Sequence, residues 1–81
     1  LLFPNPVSVN EANIRFVLTN TNSFSMKVYD ASGRIVHSEE PRILVPAEHN
    51  VRLSVGNWQQ GIYLLKIVMG NQLLTKELLV Q

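Results

Sequence analysis

The stretch from Gly61 to Gln81 leaves the chain few options. Two runs dense in Leu, Ile, Val and Tyr flank Gly70-Asn71. That pair suits a two-residue type II′ turn, because glycine accepts the positive φ required at the first central position. With the turn there, Tyr63 faces Leu78, Leu65 faces Lys76 and Ile67 faces Leu74, a mostly apolar face that points inward. The opposite face sets Ile62, Leu64, Lys66 and Val68 against Leu79, Glu77, Thr75 and Leu73, with a polar middle. A three-residue turn would shift the pairing and exchange the two faces.

Such a ribbon needs a core to join. At 81 residues, 46% hydrophobic and 16% charged, the chain suits one packed domain rather than a disordered tail. We read residues 1–81 as a single domain. It opens without Met, which suggests a piece of a longer precursor. The net charge is +1, and Arg15, Lys27, Arg34, Arg42, Arg52, Lys66 and Lys76 are scattered, so nothing favours nucleic acid or an anionic membrane as partner. There is no cysteine, hence no disulfide, zinc-thiolate site or thiol chemistry. No apolar run approaches the ~20 residues that cross a bilayer, so direct membrane insertion is not expected.

Upstream, Pro4 and Pro6 make the opening stiff and extended, neither helix nor central strand, and Val7 to Val9 suit a short first strand. Asn13 to Thr19 alternates, with Ile14, Phe16 and Leu18 on one side. Ser23 to Tyr29 alternates again through Phe24, Met26 and Val28. Asp30-Ala31-Ser32-Gly33 fits a type I turn, after which Arg34 to Glu39 returns as a strand. Pro41 and Pro46 bracket Ile43 to Val45, read as a separate short edge strand or extended loop. Val51, Leu53 and Val55 turn inward, and Gly56 to Gln60 forms a corner. No window holds a 3.6-residue period. About seven short strands at this spacing predict an all-β antiparallel sandwich.

Catalytic groups do not assemble in this pattern. His37 and His49 are isolated, Glu39 and Glu40 point to opposite faces of a strand, and the glycines sit at turns rather than in a phosphate loop. We expect no enzyme activity, no metal and no cofactor. Trp58 suits a lid on the core better than a sugar platform. Gly61-x-Tyr63 suits the corner of an immunoglobulin-like sandwich, where a Tyr hydroxyl bonds nearby backbone.

Four segments in order carry a resemblance. They are Phe3-Pro4-Asn5-Pro6-Val7, the run from Val28 to Val36, the run from Gly61 to Ile67, and Thr75-Lys76-Glu77-Leu78-Leu79-Val80. Together they resemble the type A C-terminal sorting domain of the type IX (Por) secretion system, over essentially the whole chain. The resemblance implies an immunoglobulin-like fold and an export address, with cargo N-terminal to it. It implies passage through the periplasm and outer membrane to the cell surface or medium, by way of the type IX translocon and its shuttle proteins. A surface sortase then removes the domain near its start, with attachment of cargo to lipopolysaccharide as one outcome. Pro4, Asn5, Pro6, Gly33, Arg34, Gly61 and Tyr63 match family motif positions, mainly structural ones. Lys76 matches the terminal segment, whereas Glu77 stands where the family often has a second lysine.

On this reading the terminal ribbon is the recognised element, through its outer face and free edge, with Lys66, Thr75, Lys76, Glu77, Leu79 and Val80 as the candidate binding residues. Two alternatives stand beside it. One is an immunoglobulin- or fibronectin-like spacer or adhesion module; the other is a carbohydrate-binding module using Trp58 and Tyr63.

Overall fold

The alternation along the chain resolves, in a computed structural model describing residues 2–4 and 11–81, into seven strands and no helix among those residues. They are β1 (Leu2–Pro4), β2 (Glu11–Leu18), β3 (Asn22–Tyr29), β4 (Ile35–Leu44), β5 (Ala47–Ser54), β6 (Gly61–Met69) and β7 (Gln72–Val80). The expected strand at Val7 to Val9 lies outside the described residues, as do Asn5 and Pro6. A three-stranded sheet has the order β1-β2-β5 and a four-stranded sheet the order β4-β3-β6-β7, every pair antiparallel. This is an immunoglobulin-like sandwich, with consecutive strands divided between two layers.

Period-two patterning decides what lies between the layers. Ala12, Ile14, Phe16 and Leu18 of β2 meet Phe24, Met26 and Val28 of β3, all buried. β5 adds Val51 and Leu53, and the β6–β7 ribbon adds Tyr63, Leu65, Ile67, Met69, Leu78 and Val80. Phe16 and Phe24 stack across the gap with centroids 5.6 Å apart. Trp58 and Leu74 pack against this cluster from its margin.

One segment departs from the sequence reading. Arg34 to Glu39 and Ile43 to Val45 are not two strands: β4 runs unbroken from Ile35 to Leu44, through Pro41. It does so by bulging. Phe24 pairs with Arg42 and Met26 with Glu39, so Ser25 faces both Glu40 and Pro41. A second irregularity at Val36 separates the Val28–His37 and Tyr29–Ile35 pairs. Proline supplies no N–H to a ladder, and a bulge on an edge strand is where that omission is tolerated. The register also turns His37, Glu39 and Arg42 toward the sandwich interior, opposite Val28, Met26 and Phe24. His37 Nε2 donates to Glu39 at 3.0 Å, Arg42 Nη2 lies 3.6 Å from the same carboxylate, and its guanidinium sits 5.5 Å from the Phe24 ring centre. Bulges, a proline and inward charges all discourage another strand from pairing on that edge.

Candidate functional site

The terminal ribbon takes the expected register. Tyr63 pairs with Leu78, Leu65 with Lys76 and Ile67 with Leu74, without interruption from Gly61–Val80 to Met69–Gln72. Gly70 has φ +61° and no non-glycine described residue has positive φ, which is the signature of a type II′ turn. The turn is docked: Gly70 N–H donates to the Ser23 carbonyl at 3.0 Å, and a Cβ on Gly70 would collide with the Asn22 side chain.

This register sorts the candidate binding residues. Lys66, Thr75, Glu77 and Leu79 come together on the outer face, Lys66 opposite Thr75 and Glu77 opposite Leu64. Lys76 and Val80 lie on the other side. Lys76 remains exposed at the margin, as its charge demands, whereas Val80 is 5% exposed and belongs to the core. The outer face is unusually apolar for a solvated sheet. Ile62, Leu64, Val68, Leu73 and Leu79 of the ribbon are all exposed on it. Ile35 and Ile43 of β4 extend it across the sheet, 53% and 68% exposed. A groove of about 480 Å³ crosses this face between Tyr29, Gly33, Ile62, Leu64, Lys66 and Glu77.

Backbone polarity follows from the same register. In a two-residue hairpin the residues flanking the turn exchange both ladder bonds, and such pairs alternate along the ribbon. Gln72, Leu74, Lys76, Leu78 and Val80 therefore bond toward β6. Leu73, Thr75, Glu77 and Leu79 turn their N–H and C=O groups outward, along an edge that no described strand covers.

The motif positions hold the ends of the ribbon's sheet. Asp30 Oδ1 accepts from the Ser32 hydroxyl at 2.7 Å and from the Ser32 and Arg34 N–H groups at 2.9 Å, while Oδ2 accepts from Arg34 Nε at 2.9 Å. Gly33, at φ +90°, closes the turn by donating to the Asp30 carbonyl. The Ser32 hydroxyl first, then the Arg34 N–H, hold the Asp30 carboxyl below the ordinary range, at about 2. A depressed carboxylate adds stability that is complete above its unfolded value near 3.9 and is lost as pH falls toward the folded value. Asp30→Asn should therefore melt a few degrees below the parent at neutral pH. Thermal melts across pH should show that gap closing between roughly pH 4 and 2.

At the opposite side of this corner the Tyr63 hydroxyl donates to the Gln59 carbonyl at 2.7 Å, the backbone bond that the Gly61-x-Tyr63 spacing suggests. Trp58 packs on Tyr63 with ring centres 4.9 Å apart. Tyr63 is 6% exposed, so the two rings do not form an open platform for a sugar. His49 Nε2 donates to the Val45 carbonyl at 2.8 Å, and its ring stacks on Phe16. Pro4 ends β1, paired with Ile14.

Sequence reasoning missed the breadth of the outer face. Each strand's outward residues were legible, but the β3–β6 pairing that sets Tyr29 beside Leu64 and Lys27 beside Lys66 was not. Among protein families, the model of the secretion system C-terminal sorting domain matches residues 1–81. No curated protein and no solved structure gives a significant match. This sandwich, with its Tyr-bonded corner and its β6–β7 ribbon, is matched over residues 1–81 and belongs to the family of C-terminal sorting domains that serve as type IX secretion signals.

Proposed function

We propose that the type IX machinery reads this domain in its folded form, through the outer face and free edge of the β6–β7 ribbon. The carrying observation is the contrast between the two edges of one sheet. β4 is bulged twice, contains Pro41 and turns charges inward; β7 runs nine residues in unbroken register with four leucines. Main-chain bonding by strand addition gives affinity with little dependence on side chains, which suits an address shared by unrelated cargoes. The partners on this reading are the translocon, its shuttle proteins and a surface sortase, reached from the periplasm. The sortase removes the domain near its start, and transfer of cargo to lipopolysaccharide is one outcome. The domain contributes no chemistry of its own.

Fusing residues 1–81 to an inert passenger, in a host with type IX machinery and behind an inner-membrane export signal, should deliver the passenger to the surface or medium. Its mass after export should lack the domain. A passenger that stays in the periplasm would sink the reading.

A further inference from the structure

The two outer faces of the sandwich differ sharply. That of the three-stranded sheet carries Asn13, Arg15 and Val17 from β2 against Arg52, Asn50 and Glu48 from β5, as a solvated face should. That of the four-stranded sheet exposes Ile35, Ile62, Leu64 and Leu79 toward one end and Ile43, Val68 and Leu73 toward the other. In the polar row between them, with Ser38 and Thr75, the register sets Lys27 directly opposite Lys66. Like charges in directly opposed positions destabilise a sheet. The Lys66 ammonium lies 5.1 Å from the Tyr29 ring centre, and no carboxylate among the described residues forms an ion pair with either lysine. Glu77, diagonal to Lys66 across the ribbon, is beyond ion-pair distance.

Two ammonium groups that no described carboxylate pairs, flanked by exposed apolar side chains, have a definite complement. We propose that the outer face of the four-stranded sheet docks a protein of the export machinery whose contact surface is apolar around a central carboxylate, seated between Lys27 and Lys66. The inference rests on the reading of this domain as a folded address and names the chemistry of its reader. The carboxylate would relieve the repulsion that the free domain carries, and the surrounding Leu64, Val68 and Leu73 would exclude water from the pair. A second copy of this chain is a poor occupant, because face-to-face pairing would bring four lysines together. A lipid surface is a poor one too, since two lysines fall short of the roughly four to eight basic residues that mark anionic-lipid sites.

The test is export of the passenger fusion with Lys27→Glu and Lys66→Glu combined. Loss of exported passenger on the order of tenfold or more is expected, with the melting temperature near that of the parent. Lys27→Gln should raise the melting temperature slightly and still lower export, an opposition of signs that a merely structural role would not produce. Arg15→Glu with Arg52→Glu, on the polar face, should export normally. If the double lysine variant melts low, Lys27→Glu alone decides the matter, since it leaves the Lys66–Tyr29 contact in place. Parental export by the lysine variants, beside an exported parent, overturns this inference and leaves the sorting reading intact. A parent fusion that is itself retained removes both. Two further outcomes overturn it in favour of other occupants: a dimer in sedimentation that the lysine substitutions dissociate, or co-sedimentation with phosphatidylglycerol vesicles that they abolish.

Discussion

Phe24→Ala is expected to melt the domain on the order of 20 °C below the parent. Phe24 is fully buried, stacks on Phe16 at 5.6 Å and lies under the Arg42 guanidinium at 5.5 Å, so its ring joins both sheets and the guarded edge. Truncating a buried Phe to Ala costs about 3–5 kcal/mol in transfer and cavity terms. A domain of this length holds about 4–12 kcal/mol in total, and each kcal/mol shifts the midpoint by about 4–8 °C. No disulfide is present to limit the loss, because the chain contains no cysteine. Circular dichroism melts of parent, Phe24→Leu and Phe24→Ala should fall in that order. A loss below about 1 kcal/mol would mean that Phe24 does not couple the sheets. If the address is read folded, export should fall with the folded fraction of these variants.

Thr75→Pro is expected to stop export while leaving the fold in place. The register turns the Thr75 N–H away from β6, so proline there removes no ladder bond within the domain but obstructs an incoming strand. Lys76→Pro differs by one residue and by the opposite consequence: it removes a bond to β6 and should lower the melting temperature strongly. The pair separates recognition from stability better than deleting Thr75 to Gln81, which also takes Leu78 and Val80 out of the core. Measured as exported passenger, a loss of tenfold or more on the order of a hydrogen-bonded strand contact is expected for Thr75→Pro. Parental export by that variant would exclude edge pairing and leave the outer face as the surface that is read.

Much of this molecule was legible because its determinants are local. The Gly70-Asn71 turn sets a register that then carries every ribbon pair with it, and a two-residue alternation assigns Tyr63, Leu65 and Ile67 to the interior without knowledge of what they meet. The Asp30 turn and the Tyr63 corner close over five residues each, with partners four or fewer positions away. What sequence alone could not decide lies between distant segments. Pro41 reads as a break until β3 is placed beside it, because only a paired strand can make a bulge of the interruption. Val80 stands among exposed candidates until the second sheet covers it. Lys27 and Lys66 each look like an ordinary surface charge until β6 lies against β3. Turn chemistry and periodicity say which way a side chain points. Which strand becomes its neighbour is settled by the shared burial of both sheets, and that choice is a property of the assembled core.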